Sequence, residues 1–148
     1  MAEILTSLHG RKLGLAKDLS LVSNGIQVSA PAVDATITVG AENTNVRAIT
    51  IQLRDSNGDD ITSRQMVQIV VLADANGDAF AATGGSTGIE IGTDGALLAV
   101  VAKKYFIAIS EDDGDIDLTW TDTGTEAAYL GVILPSGRMV ISDALTNA

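Results

Sequence analysis

The 148-residue chain is acidic, with a net charge of −10, and 46% of it is apolar, enough for one domain with a buried core. It has no cysteine, so disulfides and thiolate metal centres are excluded, and no apolar run approaches the ~20 residues of a membrane helix. The surplus of carboxylates argues against binding a phosphate backbone, where Lys and Arg must replace counterions.

Residues 1–25 differ from the rest. They hold three basic and two acidic side chains, so the remaining seventeen carboxylates, against six basic groups, fall on the body. Ile4, Leu5, Leu8, Leu13, Leu15, Leu19 and Leu21 follow neither a helical period nor a clean alternation, and Gly10 and Gly14 would interrupt a helix. His9, Arg11, Lys12, Lys17 and Asp18 break up any signal-peptide core. Two readings stand side by side: an extended arm with apolar anchors, or a hairpin of Arg11–Leu15 with Leu19–Val22. The body is expected to start at residue 26.

Ala35–Val39 alternates weakly, with Ile37 and Val39 on one face. Val46–Leu53 alternates clearly, placing Ile49, Ile51 and Leu53 together, as in a half-buried strand. Asp55-Ser56-Asn57-Gly58-Asp59 is a turn; Asn-Gly is a strong hairpin signal because both central residues of the tightest turn need positive φ. Gln65–Ala73 sets Val67, Ile69 and Val71 on one face, while Met66, Val70 and Leu72 make the other face apolar too. That pattern predicts burial on both sides or an interface with another copy. A second Asn-Gly turn, Asp74–Asp78, precedes a glycine-rich stretch at 79–88, read as a flexible surface loop. Ile89–Ile91 is a short strand, Thr93-Asp94-Gly95 a turn, and Ala96–Ala102 a nearly uniform apolar run ending at Lys103 and Lys104. From Tyr105 to Ile141, four strand-length runs are separated by Glu111–Asp115, Asp122–Glu126 and Pro135–Gly137, which reads as a β-meander. Eight to ten short strands and no helix predict an all-β, antiparallel β-sandwich or small barrel. Trp120 falls mid-strand and is expected in the core.

Catalysis has little footing. His9 is the only histidine, no Gly-x-Ser-x-Gly elbow is present, and the carboxylates sit in turns where nothing would raise a general acid's pKa. The glycine-rich loop lacks the lysine and following helix of a phosphate cradle. Three acidic turns, at 55–60, 74–78 and 111–117, invite calcium, with Glu111, Asp112, Asp113, Asp115 and Asp117 the densest group. Their spacing lacks EF-hand order, and hairpins favour Asp, Asn and Gly for backbone reasons, so they read as structural turns without metal or cofactor.

Thr6-Ser7-Leu8-His9-Gly10-Arg11-Lys12-Leu13-Gly14-Leu15 resembles the opening of small virion proteins encoded beside the major capsid protein of tailed bacteriophages. Ile49–Gly58 looks like the strand and turn of bacterial immunoglobulin-like, invasin-type domains. Asp112–Trp120 is similar to a later strand of those domains, and Ala127–Ile141 would supply the closing strands. The resemblance implies an immunoglobulin-like antiparallel β-sandwich with an extended N-terminal arm, acting as a capsid decoration (cement) protein on the virion exterior. It would be made in the host cytoplasm, without binding nucleic acid or membrane. The arm would dock on the major capsid protein through Leu8, His9, Arg11, Lys12, Leu13 and Leu15, and Met66, Val70 and Leu72 would form the interface of a homotrimer. The rival expectations are a phage tail tube, baseplate or fibre component, and an immunoglobulin-like adhesion or carbohydrate-binding module.

Overall fold

The computed structural model describes residues 31–148 throughout and, ahead of them, the backbone of four short strands. These are β1 (Ile4–Leu8), β2 (Arg11–Leu15), β3 (Leu21–Ser23) and β4 (Ile26–Gln27), paired antiparallel in the order β1-β2-β3-β4. β2 and β3 set Leu13 opposite Ser23 and Leu15 opposite Leu21. Of the expected docking residues, Leu8, Arg11, Lys12, Leu13 and Leu15 belong to β1 and β2, while His9 lies outside the described residues.

The body is a β-sandwich. One sheet has four strands in the order β5-β6-β11-β8: β5 (Asp34–Val39), β6 (Val46–Arg54), β8 (Gly88–Ile91) and β11 (Asp115–Thr121). The other has five, in the order β13-β12-β7-β10-β9: β7 (Met66–Leu72), β9 (Ala96–Val101), β10 (Tyr105–Ile109), β12 (Tyr129–Ile133) and β13 (Met139–Ala144). All the pairings are antiparallel.

Period-2 patterning builds the core. Ile49, Ile51 and Leu53 of β6 and Ile116, Leu118 and Trp120 of β11 face Val67, Ile69 and Val71 of β7 and Leu130 and Val132 of β12, all essentially without solvent exposure. Removing that apolar surface from water is the main force joining the layers. Ile61, Leu134 and Leu145 close the core from the connecting segments.

The run from Tyr105 to Ile141 is not a meander. β10 pairs with β7 and β9, whereas β11 pairs with β6 and β8 in the opposite sheet, and only β12 and β13 form a hairpin. The Asn-Gly turns also differ from expectation. At Asp55–Asp59 only Gly58 has positive φ (84°); Gly58 N donates to Asp55 O and Asp55 N to Asp59 O. The same ring, with a left-handed glycine in fourth place, recurs at Glu111–Asp115 and Leu134–Arg138. This three-residue loop, a type I turn closed by a left-handed glycine, needs positive φ at one position only.

Candidate functional site

Among the described residues the strand pairing completes a carboxylate cluster of which the acidic 111–117 stretch announces only two members. Asp115 and Asp117, two apart on β11, project from the outer face of the four-stranded sheet, and the turn after β8 brings Asp94 beside them. That turn is fixed by Gly92 N donating to Asp117 O at 2.7 Å and Asp117 N donating to Asp94 O at 2.9 Å. The three side chains each offer a carboxylate oxygen, all within 4.8 Å of one another. Thr50 Oγ1 donates to Asp117 Oδ1 at 2.9 Å, whereas Asp115 Oδ1 is buried and has no hydrogen-bond partner. These are the side chains that could hold an oxygen-preferring cation, though calcium takes six to eight ligands and three carboxylates supply only part of that shell.

The rest of the acidic group is otherwise engaged. Glu111 and Asp112 both pair with Arg64, and Asp113 Oδ1 accepts from Asp115 N at 3.3 Å. In the other two acidic turns, Asp55 Oδ1 accepts from Asn57 N and Asp59 N, and Asp74 Oδ1 from Asn76 N. Those aspartates act as turn residues, satisfying backbone donors two and four positions on.

Burial raises the Asp115 pKa above its ordinary 3.8, and the charges of Asp117, Asp113 and Asp94 push the same way against the Ile116 N–H. Glu126 shifts oppositely. Burial works to raise it, but hydrogen bonds from Thr83 Oγ1 and from the backbone N–H groups of Thr83, Gly85 and Gly84 outweigh that and leave it below 4.5. A raised carboxyl stabilises the fold below its unfolded pKa, and that contribution is lost as pH rises through the folded value; a lowered one contributes above its unfolded pKa and is lost as pH falls through the folded value. Asp115→Asn should therefore be more stable than the parent at pH 7, with the gain shrinking on acidification towards about pH 4. Glu126→Gln should be less stable at pH 7, with the deficit holding down to about pH 4.5 and narrowing only below it. Urea unfolding at about pH 7, 4 and 3 reads the two different windows.

The outer faces of the two sheets are unlike. The four-stranded sheet presents Asp34, Thr36, Thr38, Thr50, Gln52, Asp115, Asp117 and Thr119. Across the five-stranded sheet, one row in register reads Met139, Ile133, Gln68, Ile107, Leu98. The row beyond it holds Met66, Ile109 and Ala96, and Met66, Ile109 and Leu98 are all exposed. The single polar member, Gln68, accepts a hydrogen bond from Tyr105 Oη at 2.8 Å.

Of the expected interface residues, only Met66 is open to solvent, at 57%; Val70 and Leu72 are buried within the chain itself. They pack beside Gly131, where an added Cβ would lie 2.7 Å from Val70 and 2.8 Å from Leu72, and the 73–79 turn folds Gly77 against Met139 and Ile141. The glycine-rich stretch at 79–88 is tied down. Glu126 holds Thr83 and Gly85, Asp122 accepts from Ser86 N at 3.0 Å, and Lys103 Nζ donates to the Gly85 and Ser86 carbonyls.

Fold and surfaces together define an antiparallel β-sandwich with one polar, acidic outer face and one apolar outer face. Comparison with protein-family models, characterised proteins and solved structures returned no match.

Proposed function

We propose that this chain is a non-enzymatic structural protein of a tailed-phage virion, a decoration protein that binds the major capsid protein and stabilises the assembled head. The observation that carries this reading is the contrast between the sheet faces. An apolar face suits attachment to a protein surface, and an acidic face suits solvent. The strand order supports an immunoglobulin-like module. If β5, β6, β7, β8, β11, β12 and β13 are lettered A to G, the sheets read A-B-E-D and G-F-C, with β10 and β9 added beside C. The sugar-binding alternative has little to draw on. Phe106 and Trp120 are buried and Tyr105 and Tyr129 half-buried, leaving Phe80 as the one well-exposed ring among the described residues.

In this reading the N-terminal segment docks on capsid subunits through Leu8, Leu13 and Leu15, with Arg11 and Lys12 facing acidic capsid groups. Because the protein binds the assembled shell and not its free subunits, mass action raises shell stability, and many copies add avidity. Co-sedimentation with expanded empty heads should show saturable binding at a fixed ratio to capsid subunits. Deleting residues 1–25 should reduce that binding at least about tenfold, a loss of about 1.4 kcal/mol. A chain found in purified tails, or unable to bind heads, would overturn the decoration role.

A further inference from the structure

We propose that β9 pairs edge to edge, antiparallel, with β9 of a second copy of this chain, joining two five-stranded sheets into one. This inference stands independently of the capsid reading.

β9 ends its sheet, and among the described residues no strand pairs with its free side. An open edge presents a row of backbone donors and acceptors, and lasting monomers blunt such edges with charge or proline or cover them. The other three edges of the sandwich are blunted: β5 carries Asp34, β8 carries Glu90, and β13 carries Asp143 and lies against β5, where Arg138 pairs with Asp34 at 3.1 Å. β9 reads Ala-Leu-Leu-Ala-Val-Val, without charge or proline, and Leu98 (64%), Val100 and Val101 are exposed.

The charges flanking β9 select the occupant. Asp94 precedes the strand, and Lys103 and Lys104 follow it. Antiparallel pairing centred on Leu98, with the register shift between Ala99 and Val101 taking up one residue, sets Asp94 of each copy opposite Lys103 of the other, whereas parallel pairing would stack like on like. The lysine Nζ atoms are held by the carbonyls of Gly85, Ser86 and Ala82, which leave their charge uncompensated. Asp94 belongs to a cluster of three carboxylates that gains from a nearby cation. Elsewhere the −10 charge makes copies repel. The contact is isologous and gives a two-fold dimer, not the threefold assembly expected from the resemblance.

A six-residue edge is about 20 Å long and the two sheets about 10 Å apart, so each copy presents on the order of 200 Å², below the ~800 Å² per partner of a permanent interface. The dimer should therefore be weak and concentration-dependent. Sedimentation velocity and native mass spectrometry of the full chain over a hundredfold concentration range should show monomer passing to dimer. Hydrogen exchange should show amides within 96–101 slowing as dimer forms. Leu98→Lys alters an exposed side chain and sets two lysines at the two-fold axis; it should keep the parent melting temperature and weaken the dimer at least tenfold. A chain that stays monomeric with unchanged β9 exchange, a trimer, or a dimer unaffected by Leu98→Lys would each overturn the proposal. Should Leu98→Lys fail to fold, the concentration dependence of parent exchange at β9 decides alone.

Discussion

Replacing Trp120 with alanine should cost about 3–5 kcal/mol of unfolding free energy, a large part of the roughly 5–15 kcal/mol that holds a domain of this size together. Trp120 is the largest fully buried side chain and lies mid-core on β11, opposite Arg47 of β6 and Ile89 of β8. The chain is built closely around it: a Cβ on Gly85 would lie 2.8 Å from the indole Cη2. Truncation therefore opens a cavity in a layer that cannot easily collapse. Trp120→Phe should cost far less, about 1 kcal/mol, because the indole Nε1 is buried without a hydrogen-bond partner and phenylalanine removes that orphan donor with part of the ring. Urea unfolding followed by far-UV circular dichroism tests both, and an unchanged m-value would confirm that the native state alone is affected. A Trp120→Phe cost of about 2 kcal/mol or more would show that the indole nitrogen has a partner.

Trp120 also shows which parts of the fold are legible in the residues. The alternation through Ile49, Ile51 and Leu53, through Val67, Ile69 and Val71, and through Ile116, Leu118 and Trp120 points to the faces that become the core. Such periodicity is local and survives any sheet assignment. The choice of sheet does not. Glu111–Asp115 and Asp122–Glu126 carry the same residues whether the next strand lies alongside or crosses to the opposite layer, so the Tyr105–Ile141 run reads as a meander and folds as crossovers. Asp94 escaped notice for the same reason. Alone in a Thr-Asp-Gly turn it looks like turn chemistry, and it reaches Asp115 and Asp117 only because β8 pairs with β11. Glycine misled at 79–88. It serves both mobile loops and close backbone approach, and Gly84 and Gly85 are of the second kind, pressed against Lys103 and Trp120.

The two apolar faces of β7 were legible, but their meaning was not. A strand apolar on both sides can be covered by its own chain or by a partner, and the pattern does not distinguish these. Val70 and Leu72 are covered from within by Gly131 and its neighbours, while Met66 at the strand's start stays exposed. The uncovered apolar surface lies further across the sheet, on Leu98, Val100, Val101 and Ile109. In the sequence that segment is one more hydrophobic run. Only its place at the end of the sheet order turns it into an open edge.

Asp122→Ala should cost about 3 kcal/mol, the sum of three part-buried backbone hydrogen bonds each losing its acceptor at about 1 kcal/mol. Asp122 is nearly buried just past β11; its Oδ1 accepts from Ser86 N at 3.0 Å and Gly124 N at 3.2 Å, and its Oδ2 from Glu126 N at 3.2 Å. Its carbonyl accepts from Asn147 Nδ2 at 2.8 Å, and that amide also reaches Asn45 O, so the 83–86 loop, the turn before β6 and the C-terminal segment meet here. Asp122→Asn preserves shape but turns an amide NH2 towards one of the backbone donors, and should cost about 1–2 kcal/mol. Urea unfolding gives the ranking, and hydrogen exchange gives the location: Ser86, Gly124 and Glu126 amides should exchange faster in Asp122→Ala while those of β7 and β12 keep their order of protection. A loss under about 0.5 kcal/mol would mean that water replaces the carboxylate and that the loop is not held from this side. The effect should reach β9 as well. Lys103 Nζ is held by the Gly85 and Ser86 carbonyls, so a loosened loop frees the cation that faces Asp94 of a second copy, and Asp122→Ala should weaken self-association without changing any residue of β9.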